Sequence, residues 1–195
     1  MAALSGLHAS RRVMVLAAAG TLAGAVAGRK ALGAGSARLV ETGPKPLPEF
    51  SFTDADGRPH SLAEFAGKGV LINLWATWCP PCVAEMPALD RAQAALAGDG
   101  IVVLALSSDR GGKAQVEPFY HGKAIRQLGI WLDPRGAASR ALGARGLPTS
   151  ILVDRQGQEL ARAEGDMAWD TPAMLAQLRQ LVGPPPAAAP DEDKT

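Results

Sequence analysis

Positions 70–75 read Val-Leu-Ile-Asn-Leu-Trp, an uncharged run that predicts a strand buried on both faces. A second run, Ile-Val-Val-Leu-Ala-Leu at 101–106, predicts its neighbour, and the helical period between them predicts a helix from Cys79 to Leu96 stopped by Gly98. Upstream, the segments 50–53 and 58–61 flank Asp54-Ala55-Asp56-Gly57, which reads as the turn of a hairpin. Ser61-Leu62-Ala63-Glu64 then has the capping-box spacing that opens a short helical turn. Downstream, the pattern predicts a helix over 113–122, a short strand at 130–132 and a helix over 136–142. Strands at 150–153 and 159–163 follow, joined across Asp154-Arg155-Gln156-Gly157, and a last helix covers 171–182. Strands alternating with helices, then a hairpin and a helix, make an α/β fold with a central mixed β-sheet flanked by helices.

Both ends of the chain break this pattern. Ser10-Arg11-Arg12 opens an apolar stretch over 13–28, the order of charges and apolar residues that marks export. The arginine pair resembles a twin-arginine signal with Met14 where that motif carries Phe, so general export remains an alternative. The stretch falls slightly short of the roughly 17–25 residues of a spanning helix. Gly35 and Ala37 offer a cleavage site, while Arg29 and Lys30 disfavour cleavage directly after the run. A removed signal and a retained anchor both stay open. The expected division is an export signal or membrane anchor at 1–37, a Gly/Pro tether at 38–49, one folded domain at 50–183 and a disordered tail at 184–195.

With 195 residues, 47% of them hydrophobic, and a net charge of +1, the chain can bury one ordinary core and carries no nucleic-acid footprint. His8, His60 and His121 form no ligand-spaced cluster with the two cysteines, so no metal is expected. Both cysteines fall in one CxxC, Cys79-Pro80-Pro81-Cys82. At a helix N-terminus, free N–H groups and the macrodipole favour a Cys79 thiolate, and the helical period brings Cys82 within disulfide reach. Pro80 suits the first helical position. Together Pro80 and Pro81 remove two backbone donors from the neighbourhood of Cys79, which argues for a modest thiolate and a reductant. A static disulfide closing so short a loop would constrain the unfolded chain little. A Cu(I)-binding module is the serious alternative to thiol–disulfide exchange.

The stretches LINLWATWCPPCVAEMP (71–87), GLPTSILVDRQG (146–157) and FSFTDADGRPHSLAEFAGK (50–68) resemble the membrane-tethered periplasmic thioredoxins of the TlpA and ResA type, over about residues 50–181. The resemblance implies a thioredoxin fold with an added N-terminal β-hairpin. It implies a monomeric thiol:disulfide oxidoreductase whose only redox group is the Cys79–Cys82 pair, without a bound cofactor. Such proteins are mostly reductases on the periplasmic side of the inner membrane. They are fed by a membrane electron donor and act on protein disulfides of apocytochrome c or of copper metallochaperones; an oxidase or isomerase is the alternative direction.

The same likeness assigns roles. Pro148 is expected cis and facing the cysteines, with Leu147 and Thr149 beside it forming the edge against which an extended substrate pairs. Trp78, Pro80 and Pro81 would complete the contact surface, whereas Trp75, inside a strand, reads as core. Cytosolic thioredoxins bury an aspartate six residues before the first cysteine; here that position is Asn73, read as a structural amide satisfied by backbone groups. Glu85, three residues after Cys82 on one helical stripe, matches a family glutamate and is the candidate acceptor for the proton of Cys82. Pro87 is expected to kink the helix. A peroxiredoxin would need other residues where Ile72 and Ala76 stand, and a Sco-type copper protein uses CxxxC spacing.

Overall fold

The computed structural model describes residues 37–185. A sheet of eight strands, ordered β1-β8-β7-β4-β5-β6-β2-β3, forms its centre. Strand β4 (Gly69–Trp75) is buried at every position, in keeping with its uncharged, largely apolar run. It pairs in parallel with β5 (Ile101–Ser107) and antiparallel with β7 (Thr149–Val153), with Leu74 opposite both Leu106 and Thr149.

Alternation along β4 sorts its side chains between two cores. Leu71 and Trp75 pack with Met86, Leu89 and Leu96 of α1 (Pro80–Leu96) and with Leu178 and Val182 of α4 (Pro172–Val182). Val70, Ile72 and Leu74 pack on the other face with Phe52, Leu104, Ile151 and the short helix α3 (Ala137–Ala141). Asn73 shares the parity of Leu71 and Trp75, so it lies under α1. Helix α2 (Lys113–Lys123) sets Tyr120 flat on Trp75, with ring centroids 5.9 Å apart. Trp75 is therefore core, as expected.

The expected hairpin is present as β2 (Ser51–Asp54) and β3 (Pro59–Ser61), and it joins the sheet edge through β6 (Trp131–Leu132). The capping box is formed, with Glu64 accepting the Ser61 N–H at 2.9 Å.

One expectation is corrected. Much of the segment read as a tether over 38–49 is strand β1 (Val40–Pro46), paired antiparallel with β8 (Gln158–Glu164). All its residues are exposed, so its side chains carry no alternation to betray a strand. The backbone pairing holds it, and Lys45 Nζ meets buried Glu159 at 3.2 Å. Gly43, at φ 71°, lies within the irregularity between Glu41 and Lys45, and Pro44, Lys45 and Pro46 leave the outer edge a poor template for another chain. The predicted export segment at 1–37 falls, except for Ala37, outside the described residues, as does the tail beyond 185.

Candidate active site

Cys79 caps α1 and is disulfide-bonded to Cys82, with Cα atoms 5.3 Å apart. Proline at the first two helical positions suits the cap, because those N–H groups have no intrahelical partner. The nearest N–H left to the Cys79 sulfur is that of Cys82, at 3.4 Å. Cys79 keeps 5% exposure and Cys82 none. Trp78, 65% exposed, stands directly before the pair, and Pro80 and Pro81 are exposed beside it.

The loop from β4 to α1 is held by a residue that sequence reasoning did not single out. Asp109, fully buried, accepts the Thr77 N–H at 2.9 Å and the Thr77 hydroxyl at 2.7 Å, and takes a third bond from Ser107 at 2.8 Å. Its signal was position: it follows the carboxyl end of a parallel strand, where open α/β sheets place their sites.

The Leu147–Pro148 peptide is cis. Because β7 runs antiparallel to β4, its first residue, Thr149, lies opposite Leu74 and brings this turn to the end of the sheet that carries Cys79. Leu147 is half-buried and packs against the core cluster that contains both cysteines. Pro148 is buried and its carbonyl accepts the Gly165 N–H at 2.9 Å. Thr149 turns inward, its hydroxyl donating to the Gly146 carbonyl at 2.7 Å, so its side chain shapes the turn.

Glu85 lies on α1 three residues after Cys82, 3% exposed. Its Oε1 accepts from Asn73 Nδ2 at 2.8 Å; its Oε2 accepts the Met167 N–H at 3.0 Å and the Trp169 indole N–H at 2.8 Å. Burial pushes its carboxyl up to about 7, against these three donors, which favour the ionised form. Asn73, expected to be satisfied by backbone, instead donates to two side chains, Glu85 and Ser150. Trp169 was not anticipated at all: it lies 84 residues beyond Glu85, and no local pattern links the two.

A cysteine pair capping a helix at the carboxyl end of a parallel strand, beside a cis-proline turn, defines a thiol–disulfide oxidoreductase of thioredoxin fold. The sequence matches the Redoxin family over residues 43–178. It is 33% identical over 122 residues to the thiol-disulfide oxidoreductase ResA of Bacillus thuringiensis, covering 63% of this chain and 69% of that one. The ResA of Halalkalibacterium halodurans is 30% identical over 135 residues, 69% of this chain and 74% of that one. Among solved structures, a thiol:disulfide interchange protein DsbE from Chlorobium tepidum superposes with a TM-score of 0.63 at 27% identity, over 72% of this chain and 98% of that one. The exposed lipoprotein thioredoxin of Streptococcus pneumoniae gives 0.58 at 31%, over 69% of this chain and all of that one. The chain belongs to the Redoxin family, as a thioredoxin-like oxidoreductase of the ResA and TlpA type.

Proposed function

We propose that this oxidoreductase works as a reductant on the periplasmic side of the inner membrane. In the reduced form a Cys79 thiolate attacks a substrate disulfide, breaking its S–S bond and releasing one substrate thiolate. Cys82, deprotonated with Glu85 as acceptor, attacks the Cys79 sulfur. The second substrate thiolate leaves, and the Cys79–Cys82 disulfide remains. Two electrons have passed to the substrate, and a thiol-reducing membrane donor must return them.

The substrates that fit this reading are disulfides of apocytochrome c or of copper-site metallochaperones, presented as extended segments along Trp78, Pro80, Pro81 and the Leu147–Pro148–Thr149 turn. Residues 1–37 supply the export signal or anchor, and the protein acts as a monomer without a bound cofactor.

The observation that carries the direction is the sparse donor set at Cys79, whose nearest N–H is that of Cys82 at 3.4 Å because Pro80 and Pro81 have none. A weakly stabilised thiolate makes the reduced form give up electrons readily. Equilibration with glutathione redox buffers tests it. The expected potential lies nearer thioredoxin's, about −270 mV, and a value above about −180 mV would make the protein an oxidant or isomerase.

A further inference from the structure

The two oxygens of Glu85 have unlike surroundings. Oε2 accepts from the Met167 backbone N–H and the Trp169 indole N–H, groups that can only donate, and Trp169 is fully buried. Oε1 meets Asn73 Nδ2, one end of an amide that carries both a donor and an acceptor. Nδ2 also donates to Ser150 Oγ at 2.9 Å, while Asn73 Oδ1 is buried with no hydrogen-bond partner among the described residues. An orphaned acceptor on a fully buried side chain is costly and calls for a reason.

Protonation supplies one. A hydrogen on Oε2 would run into two fixed N–H donors. On Oε1 it would face an amide that can reverse. A half-turn of the Asn73 side-chain amide exchanges Nδ2 for Oδ1, which then accepts the Glu85 O–H, and the Ser150 hydroxyl rotates to donate to it. Oε2 keeps both its bonds throughout. Each state leaves one end of the amide unpaired, the acceptor when Glu85 is ionised and the donor when it is protonated, so neither is locked in by a complete set of bonds.

We propose that Glu85 carries its proton on Oε1, that Asn73 is the positioning residue that accommodates it by reversing its amide, and that Trp169 anchors Oε2 in both states. This rests on the reading of Glu85 as acceptor of the Cys82 proton. In that step the S–H bond of Cys82 breaks, its electron pair stays on sulfur, and an O–H bond forms at Oε1. Of the groups around Glu85, β4 and β7 contribute the uncharged Asn73 and Ser150, and the loop after β8 contributes Asp166, whose charge also favours the protonated acid. On α1, Cys82 stands three residues before Glu85 and does not titrate while disulfide-bonded to Cys79.

NMR of the isotope-labelled full-length chain in its disulfide form tests the proposal, followed through the range around pH 7 where Glu85 titrates. Through-space contacts between the Asn73 Nδ2 protons and the Ser150 β-protons should be present above the Glu85 midpoint and lost below it. The Trp169 indole N–H should stay hydrogen-bonded on both sides. An Asn73–Ser150 contact that persists through the titration overturns the proposal. Trp169→Phe removes one donor to the carboxylate and should raise the Glu85 midpoint by about one unit; an unmoved midpoint also overturns it. Glu85→Gln separates the two levels. If that variant leaves the pH dependence of disulfide reduction unchanged, the acceptor reading itself fails. If the dependence changes while the Asn73 amide stays fixed, the amide proposal alone fails.

Discussion

Cys79 and Cys82 sit one helical turn apart yet differ in exposure, 5% against none, and the proposed mechanism assigns the first attack to the more exposed sulfur. Cys82→Ser should accumulate mixed disulfides through Cys79, because the second attack that releases substrate is lost. Cys79→Ser should trap none. Mass spectrometry of the trapped adducts checks both, and equal trapping through Cys82 would reverse the roles. Glu85 is legible in stability as well as rate. Its carboxyl titrates near 4.5 when solvated and at about 7 in the fold, so the folded protein binds the extra proton between those values. The stability tied to this group is full below the lower value and is lost as pH rises through the upper one, about 3 kcal/mol in all. Glu85→Gln should flatten that part of the unfolding free energy against pH, measured by denaturant titration. The same variant should shift the pH–rate profile of disulfide reduction, since an amide cannot take the proton of Cys82.

Between residues and fold, the β4–α1 loop matters most, because it fixes where the Cys79 sulfur points. Thr77 gives two bonds to buried Asp109, and Thr77→Val keeps the shape while leaving one carboxylate oxygen, Oδ1, without its hydroxyl donor. The expected cost is about 1–3 kcal/mol, with slower reduction of a protein disulfide and recovery of both in Thr77→Ser. Denaturant midpoints and reduction rates of the two variants decide it. Elements whose side chains feel the core were readable in sequence: β4 and β5 as uncharged, largely apolar runs, α1 from its period and cap, the hairpin from its turn residues. Strand β1 was not, because every one of its residues is exposed and its glycine and prolines mimic a linker. Part of the site was equally hidden. The cysteines and Glu85 lie within seven residues and show their spacing, whereas Trp169, Met167 and Asp109 reach the site through tertiary packing that no periodicity encodes.

Across the whole molecule, the sheet has a reactive end and a stapled end. Chemistry gathers where β4 and β5 finish, while at their starts Arg155, 8% exposed, ties three segments together. Its Nη1 donates to the Gly67 carbonyl at 3.0 Å, and its Nη2 donates to the carbonyls of Asp99 and Gly183, each at 2.9 Å. One guanidinium thus joins the entry to β4, the turn before β5 and the exit from α4, at the corner where β7 turns into β8. Its planar fork of donors suits this convergence of carbonyls better than a lysine would. Arg155→Leu would leave those carbonyls without their donor and should lower the unfolding free energy by roughly 3 kcal/mol. The seven residues of β4 put the cysteines about 20 Å away, so the potential of the Cys79–Cys82 pair should stay where it is. A variant with the lower denaturant midpoint and an unchanged glutathione equilibrium separates what holds this fold from what its cysteines do. A shifted potential would instead show that the base of the sheet communicates with the site.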